Sequence, residues 1–352
     1  MNLFDYVRPA SVAEAVAAAS KPGAAYFAGG TNLLDLMKTG ALTPGKLVDI
    51  TRLPGLDRIE TLSEGGMRIG AMVRNADLAR APDFAAAYPA VAEALLSGAS
   101  AQLRNAATVG GNLMQRTRCA YLADPASVCN RRDPGAGCDA LEGENRTHAV
   151  LGWSDACIAT HPSDFCVPLV AFDAVVEIEG PEGRREMPLE EFYLLPGETP
   201  EHESVLAGGE LITGLRLPPE AADFRARSRY LKLRERTSFA FALVSAAAAL
   251  QIEDGTIGKA RLALGGVAAR PWRARSAEAL LRGAEPTAES FARAAEAALA
   301  DAKPSGDNAF KIELARRVVT RAFLLAAAGT PESVPALPAS VFSSDTGVSI
   351  HA

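Results

Sequence analysis

Residues 26–37 read Tyr26-Phe27-Ala28-Gly29-Gly30-Thr31-Asn32-Leu33-Leu34-Asp35-Leu36-Met37. This segment places a short apolar strand, a pair of glycines and the start of a helix in immediate succession. Paired glycines let the backbone curl so that successive amides point toward one place, and a helix N-terminus favours negative charge. The segment therefore predicts a strand, a turn and a helix that together bind an anion such as phosphate.

A second glycine pair lies in Thr108-Val109-Gly110-Gly111-Asn112. An isolated Gly-Gly pair is most often an ordinary turn. Two loops with the same Gly-Gly-(Thr/Asn) chemistry favour a diphosphate cradle over two unrelated turns. Neither loop matches the Gly-x-Gly-x-x-Gly fingerprint, so the sequence does not support a Rossmann dinucleotide site.

Length and composition indicate a globular protein of more than one domain. The chain has 352 residues, of which 48% are hydrophobic and 22% charged, and one hydrophobic core rarely extends over so long a chain. A net charge of -6 without a basic stripe argues against nucleic acid as a partner. No apolar run is long enough to predict a membrane span.

The N-terminal residues show no export signal, which predicts folding in the cytoplasm. A folded subunit can also leave the cytoplasm with a partner that bears a signal. The periplasm is then the alternative location.

Hydrophobic periodicity divides the chain into parts of different character. The first part alternates helices and strands, and Ser11 and Glu14 form a capping box that opens a helix through Ser20. Periodicity is lost from about residue 115 to 162 and resumes with a helix, Asp164 to Phe172. The strand Leu211 to Leu217 ends this part of the chain.

The last third predicts an antiparallel sheet followed by helices. The expected strands are Ser228 to Leu233, Phe241 to Leu250 and Lys259 to Ala268. The expected helices are Arg273 to Leu281, Thr287 to Ala302 and Asn308 to Ala328. Residues after Thr330 are expected to form a flexible tail.

The chain contains five cysteines, and all of them fall in or just after the aperiodic segment: Cys119, Cys129, Cys138, Cys157 and Cys166. Thiolates spaced through a loop-rich segment can hold a soft metal or an iron-sulfur cluster. An odd count in a long intracellular chain argues against a disulfide framework. The absence of a Cys-x-x-Cys pair weakens a zinc site without excluding it, and the spacing is permissive for [4Fe-4S] rather than diagnostic.

The two glycine segments, together with the run Tyr230-Leu231-Lys232-Leu233-Arg234-Glu235-Arg236-Thr237-Ser238-Phe239-Ala240-Phe241-Ala242, resemble the FAD-binding (medium) subunit of the xanthine dehydrogenase family of molybdenum hydroxylases. The resemblance extends over residues 1–330. The cysteine segment is most similar to that of the [4Fe-4S]-containing flavin subunits of bacterial periplasmic-type aldehyde oxidoreductases.

The resemblance implies an α+β fold of two domains. A PCMH-type FAD-binding domain would span residues 1–222, with subdomains at about 1–56 and 57–222 and an iron-sulfur insertion at about 115–162. A domain like the C-terminal part of CO dehydrogenase flavoproteins, with a three-stranded antiparallel sheet and helices, would span 223–330. Residues 331–352 would form the tail.

The resemblance also assigns residues to FAD. The first segment would wrap the diphosphate and the second would complete the cradle, while Asp164 would bind a ribityl or ribose hydroxyl, Ile212 would lie against the isoalloxazine and Lys232 would reach a flavin carbonyl. From the residues alone, Asp164 can also be a helix N-cap and Lys232 a solvated lysine. The implied contacts are Tyr26, Phe27, Ala28, Gly29, Gly30, Thr31, Asn32, Leu33, Leu34, Thr108, Gly110, Gly111, Asn112, Asp164, Ile212 and Lys232.

The implied ligands of a [4Fe-4S] cluster are Cys119, Cys129, Cys138 and Cys157, because Cys166 lies in the resumed helix and is expected to be a core residue. Arginines in the segment would donate hydrogen bonds that offset the cluster's charge, or would simply be solvated. These arginines are Arg116, Arg118, Arg131, Arg132 and Arg146. His148 and His161 are expected to make capping or surface contacts rather than to bind metal.

The implied function is electron transfer in a heterotrimeric aldehyde oxidoreductase. A large molybdopterin-binding subunit would oxidise the aldehyde to a carboxylic acid, and electrons would pass through the [2Fe-2S] centres of a small subunit to FAD and an external acceptor. Catalytic residues are not expected in this chain.

Three alternatives remain at the level of sequence. The chain could be a scaffold subunit stapled by zinc, or the flavin subunit of a related enzyme that acts on aromatic CoA thioesters or purines. A stand-alone flavoenzyme is the third, although no acid-base pair is evident near the glycine loops.

Overall fold

The computed structural model describes residues 1–335 and 338–341. Within them the chain forms a small parallel sheet, a five-stranded antiparallel sheet and a C-terminal antiparallel sheet, each with its own helices. This arrangement confirms the α+β fold. None of the described helices is both long and apolar enough to cross a lipid bilayer.

The N-terminal sheet carries the first glycine loop. Its strands lie in the order β1-β3-β2, all parallel, and they are β1 (Asp5–Val7), β2 (Ala24–Phe27) and β3 (Lys46–Asp49). The helices are α1 (Val12–Ala19) and α2 (Leu33–Thr39). The Ser11 hydroxyl caps α1 by accepting from the Glu14 amide, while the Glu14 carboxylate accepts from the Ala10 amide rather than from Ser11.

The second sheet has the order β4-β5-β8-β6-β7, and its paired strands are antiparallel. The strands are β4 (Ile59–Thr61), β5 (Met67–Gly70), β6 (Val175–Gly180), β7 (Gly183–Pro188) and β8 (Leu211–Leu217). The accompanying helices are α3 (Asn75–Arg80), α4 (Pro82–Ala87), α5 (Pro89–Ser97), α6 (Ala101–Ala106), α7 (Val109–Leu113), α8 (Ala120–Ala123), α9 (Cys166–Ala171) and α10 (Leu189–Phe192).

The C-terminal sheet contains the expected three strands and a short fourth one. Its order is β12-β11-β10-β9, and the strands are β9 (Ser228–Leu233), β10 (Val244–Glu253), β11 (Thr256–Gly265) and β12 (Trp272–Arg273). The helices are α11 (Arg275–Leu281), α12 (Ala288–Ala298) and α13 (Phe310–Ala328), and a 3-10 helix, Pro219–Arg227, precedes the sheet.

Several boundaries expected in this domain differ from those of the structure, and sheet pairing explains two of them. Arg273 does not begin a helix, because its backbone pairs with Ala263 of β11 and its guanidinium is buried between Glu278 and the Val170 carbonyl. The strand expected from Phe241 begins at Val244, because its pairing with β9 starts there, opposite Leu233.

One hydrophobic core joins the two large sheets. Buried side chains of the second sheet and its helices pack in the same cluster as Tyr230, Ala247, Ala249 and Ala263 of the C-terminal sheet. A separate core fills the C-terminal domain and includes Val150 of the cysteine segment. Burial therefore fixes the FAD-type domain and the cysteine segment against the C-terminal domain.

The expected tail does not behave as a flexible segment where it is described. Ala339 is buried, its amide donates to the Glu93 carboxylate at 3.1 Å, and its carbonyl accepts from the Lys232 amide at 2.8 Å. The Ser340 backbone bridges to Lys232. The rest of the expected tail, residues 336–337 and 342–352, lies outside the described residues.

The segment from about 115 to 162 is irregular, as expected. Its described regular structure is the short helix α8 and two isolated bridges, Cys129 with Cys138 and Ser154 with Cys157. The amides of Val150 and Leu151 donate to the Val267 carbonyl of the C-terminal domain. Backbone contacts with another domain thus order a loop that has little structure of its own.

Candidate functional site: a cavity beside a cysteine pocket

A cavity of about 620 Å³ is lined by the first glycine loop, by helices that accompany the second sheet and by the C-terminal sheet. This volume is in the range of cofactor and ligand sites in proteins. The cavity brings together residues from both glycine loops, from residues 160–165 at the end of the cysteine segment and from the C-terminal sheet. They include Thr31, Asn32, Gly111, Asn112, Asp164 and Lys232.

The first glycine loop has the properties of an anion-binding turn. Gly30 has a φ of 70°, and a Cβ at Gly29 would lie 2.1 Å from the Ala106 carbonyl oxygen, so only glycine fits. Among the described residues, no group accepts a hydrogen bond from the amides of residues 29–32. The amide of the Asn32 side chain is likewise buried without a partner there. The loop thus leaves donors available for a bound anion.

The second glycine loop shapes the wall of the cavity instead. Its amides already have protein partners: Gly110 donates to the Ala71 carbonyl at 2.8 Å, and Gly111 donates to the Thr108 hydroxyl at 3.2 Å. A Cβ at Gly110 would lie 2.9 Å from the Cβ of Ala71. The described amides of Gly110 and Gly111 are thus paired within the protein, and these glycines allow close packing. The expected part of this loop in the diphosphate cradle remains a prediction.

Asp164 and Lys232, which the resemblance assigned to separate parts of FAD, bind each other. Lys232 Nζ lies 2.8 Å from Asp164 Oδ2, and the Tyr230 hydroxyl donates to Asp164 Oδ1 at 2.7 Å. Burial, followed by the Asp164 charge, raises the pKa of Tyr230 well above its usual value. The alternative role of Lys232 as a solvated lysine is wrong, because its side chain is 1% exposed.

The helix expected from Asp164 begins at Cys166, and Asp164 is not its side-chain cap. The Ser163 hydroxyl accepts from the Cys166 amide at 3.2 Å and donates to Asn112 Oδ1 at 2.7 Å. Ser163 therefore connects this helix to the second glycine loop. The Asp164 side chain is left free to pair with Lys232.

Several of the assigned FAD contacts do not line the cavity. Ile212 is buried in the core on β8, and the described lining of the cavity does not include it. The same holds for Tyr26, whose hydroxyl donates to the Gly209 carbonyl at 2.7 Å. The other assigned residues outside this lining are Phe27, Ala28, Gly29, Gly30, Leu33, Leu34, Thr108 and Gly110. Their roles remain predictions.

The cavity also contains residues that the sequence did not single out as site residues. Phe239 and Phe241 stand at it with about half of each side chain exposed, and the Arg118 guanidinium lies over the Phe241 ring. His161 lines it too, and burial, with a smaller effect of the Arg131 charge, lowers the pKa of His161 to about 3. The sequence did offer one indication of Phe239 and Phe241, because both lie in residues 230–242, one of the segments on which the family resemblance is based.

A small second pocket brings four cysteines together. Its lining includes Cys119, Cys129, Cys138 and Cys157, the four assigned as cluster ligands. Cys166 lies elsewhere, fully buried, with its sulfur 3.1 Å from the Tyr193 hydroxyl. The structure therefore separates the five cysteines into a group of four and one core residue.

The cysteine pocket supplies hydrogen-bond donors to its sulfur atoms. Arg131 Nε donates to Cys157 Sγ at 3.1 Å, and a salt bridge of 2.9 Å to Glu203 holds the same guanidinium. The Ala159 amide donates to Cys157 Sγ at 3.4 Å, and amides of residues 121–122 and 140–141 point at Cys119 and Cys138. Such donors offset the negative charge of thiolates.

The remaining arginines of the segment have other partners. Arg132 donates to the carbonyls of Tyr121, Leu122 and Asp124. Arg116 pairs with Glu203 at 2.5 Å. Arg118 and Arg146 pair with the carboxylates of Asp35 and Glu235. Of the five arginines, only Arg131 has a recorded hydrogen bond to a sulfur in the described structure.

His148 lies between the cavity and the cysteine pocket. Its Nε2 is 3.3 Å from Cys119 Sγ, and its ring lines the cavity. The surface or capping role expected for His148 is wrong, because the residue is buried. Burial, then the charge of Lys311, lowers its pKa. Cys119 lines both spaces, so one cysteine forms part of the wall between them.

Comparison with known proteins places this geometry in a family. The FAD binding domain in molybdopterin dehydrogenase matches residues 2–220, and the CO dehydrogenase flavoprotein C-terminal domain matches residues 229–326. The chain therefore belongs to the FAD-binding (medium) subunits of the molybdenum hydroxylase family, which are oxidoreductase subunits.

Two relatives cover nearly the whole chain. The chain is 49% identical, over 91% of its length and 96% of the relative, to the aldehyde oxidoreductase FAD-binding subunit PaoB of Escherichia coli. It is 30% identical, over 91% of its length and 95% of the relative, to the carbon monoxide dehydrogenase medium chain of Hydrogenophaga pseudoflava.

A solved structure of carbon monoxide dehydrogenase from Hydrogenophaga pseudoflava superposes with a TM-score of 0.73 and covers 93% of this chain and 98% of that one at 30% identity. Quinoline 2-oxidoreductase from Pseudomonas putida superposes with a TM-score of 0.71, over 93% of this chain and 99% of that one, at 25% identity. Both comparisons confirm the fold.

Proposed function

We propose that this chain is the FAD-binding electron-transfer subunit of a heterotrimeric aldehyde oxidoreductase that converts aldehydes to carboxylic acids. The 49% identity to the E. coli aldehyde oxidoreductase subunit, across 91% of the chain, carries the choice of substrate class. The matched xanthine dehydrogenase FAD-binding subunit of the same species is only 27% identical over 78% of the chain, which disfavours the purine alternative.

The partners in this proposal are a large molybdopterin-binding subunit and a small [2Fe-2S] subunit. Oxidation of the aldehyde belongs to the large subunit, and the electrons leave through this chain to an external acceptor. In the wall of the cavity Asp164 and Lys232 pair with each other, so neither is available as a free acid or base, which is consistent with this division of labour.

The first glycine loop and the cavity fit FAD. The loop supplies the free amides of residues 29–32 to the diphosphate, and Asn32 adds its unpartnered side-chain amide. Asp164 and Lys232 form the polar wall from the C-terminal side. When bound, FAD supplies the chemistry that couples two-electron oxidation to one-electron carriers. The chain's residues bind it, orient it and exclude water.

The cysteine pocket fits a [4Fe-4S] cluster held by Cys119, Cys129, Cys138 and Cys157. Among the described residues, no three His, Cys, Asp or Glu side chains are arranged to hold a single metal ion. A lone zinc ion draws its sulfur ligands to about 2.3 Å from one point. A four-iron cluster binds each thiolate on its own iron, so its cysteines stand farther apart. Four cysteines that line one pocket, with hydrogen-bond donors to their sulfur atoms, are the ligand set that such a cluster uses.

The test is anaerobic purification of the complete complex, followed by optical spectroscopy and metal analysis of this subunit. We expect one FAD and four iron atoms per chain, together with bleaching of the flavin absorbance when an aromatic or aliphatic aldehyde is added. A colourless subunit with stoichiometric zinc would contradict both cofactors. Bleaching by a purine but not by any aldehyde would contradict the substrate class alone.

A further inference from the structure

His148 connects two sites that the proposed function treats separately. Its ring lines the flavin cavity, and its Nε2 lies 3.3 Å from the sulfur of Cys119, which lines both the cavity and the cysteine pocket. The residue is buried, and its Nδ1 has no hydrogen-bond partner among the described groups. Within residues 1–335 and 338–341, the one polar contact of this ring is therefore with Cys119 Sγ.

Two buried side chains of the C-terminal domain hold the backbone of His148. Lys311 Nζ donates to the His148 carbonyl at 2.7 Å, to the Thr147 carbonyl at 2.9 Å and to the Gly266 carbonyl at 2.6 Å. Asn308 Nδ2 donates to the carbonyls of His148 and Ala149 at 3.1 Å. Lys311 and Asn308 are both 0% exposed.

The environment of Lys311 is unusual for a buried lysine. Its three recorded hydrogen bonds go to backbone carbonyls, and no carboxylate pairs with it in the described structure. Burying a cation without a counter-ion is costly. Its three donors match three acceptors that define one position of the chain, so the ammonium group fixes the backbone from which the His148 ring projects.

We propose that His148 is a positioning residue that donates its Nε2–H to the Cys119 thiolate, and that Lys311 and Asn308 hold it in place from the C-terminal domain. This inference rests on the proposed cluster. A hydrogen bond to a cluster thiolate offsets negative charge and so favours the reduced, more negative state. His148 then raises the reduction potential of the centre that borders the flavin cavity.

The test is a redox titration of the cluster, followed by electron paramagnetic resonance, in the complete complex. We expect His148→Ala to lower the midpoint potential, with a roughly tenfold smaller ratio of reduced to oxidised cluster at the wild-type midpoint, which is about 59 mV for a one-electron couple. His148→Gln keeps an amide donor near that position, so its midpoint potential should lie close to the wild-type value. His202→Ala, at an exposed histidine, is the matched control and should titrate like wild type.

The sign of the shift distinguishes this role from simple packing. A cavity that merely admitted water near the cluster would stabilise the reduced state and raise the potential. A wild-type or raised potential in His148→Ala would overturn the inference. If His148→Ala lost its iron, the cluster would be titrated in Lys311→Met instead. A midpoint potential below the wild-type value would then support the proposal, and an unchanged midpoint potential would refute it. A wild-type complex with FAD but no iron would instead refute the proposed cluster.

Discussion

Lys232 Nζ lies 2.8 Å from Asp164 Oδ2 inside the protein, and this ion pair joins the C-terminal sheet to the domain that carries both glycine loops. Both side chains line the flavin cavity. The Ser97 carbonyl and the Tyr230 hydroxyl complete the contacts of the pair. The protein's own groups therefore organise the electrostatics of this wall of the cavity.

Replacing Lys232 with methionine should destabilise the protein and reduce its FAD content. The change leaves the Asp164 carboxylate buried without its cation, and breaking a buried pair in this way costs about 3–5 kcal/mol. The measurement is the midpoint of thermal unfolding together with the flavin-to-protein absorbance ratio. Lys38→Met, at an exposed lysine of α2, is the control, and an equal loss in both variants would refute the role of the pair.

Gly29→Ala should abolish or strongly reduce FAD binding. A Cβ at this position would lie 2.1 Å from the Ala106 carbonyl oxygen, so the loop would have to move away from the helix α6. Gly45→Ala meets no atom within 4 Å and is the matched control. The flavin content of the purified complexes compares the two. Normal flavin content in Gly29→Ala would show that this loop does not require close approach.

Cys138→Ser should remove most of the iron, whereas Cys166→Ser should retain it. Cys138 lines the pocket shared by the four proposed ligands, while Cys166 packs in the core against the Tyr193 hydroxyl. Iron analysis of both variants after anaerobic purification is the measurement. Similar iron contents would show that the assignment of four ligands and one core residue is wrong.

The stability conferred by Asp49 should depend on pH below about 4. Burial acts to raise the pKa of Asp49, but hydrogen bonds from Thr51, Tyr6 and Arg8 outweigh it and lower the pKa to about 2. Its folded pKa is thus below the unfolded value, so its contribution of about 2 kcal/mol is present above pH 4 and is lost as the pH falls toward 2.

The corresponding measurement compares the thermal midpoints of wild type and Asp49→Asn between pH 6 and pH 2. The gap between them should be wide at pH 6 and narrow as the pH approaches 2. Asp57→Asn, at an exposed position, should show no such convergence. A gap that stays constant with pH would exclude this carboxylate as the source.

The sequence predicted correctly those helices whose start or stop residues lie next to them in the chain. The capping box at Ser11 and the glycine stop of α13 rest on neighbouring residues, and the structure has both helices. The short strand β12 has no such signal, because pairing with β11 creates it. Tertiary pairing also decided where β10 begins.

The candidate site divides in the same way. The grouping of four cysteines apart from Cys166 follows from where periodicity stops and resumes, and the structure has that grouping. The partners of Asp164 and His148 could not be read from the sequence, since each is set by a residue far along the chain. Long-range packing therefore sets the partners of the charged and polar side chains in the site. The sequence pattern indicated only which cysteines group together.

The contact between Ala339 and Glu93 bears on the order in which the domain junction forms during translation. The Glu93 carboxylate also accepts from Arg229 and from the Tyr230 amide, so one side chain accepts hydrogen bonds from two distant parts of the chain, residues 229–230 and residue 339. During translation Glu93 emerges first, Arg229 and Tyr230 follow, and residue 339 arrives after all of them. The junction between the domains is thus completed stepwise, and the hydrogen bond from the Ala339 amide can form only after residue 339 has been synthesised.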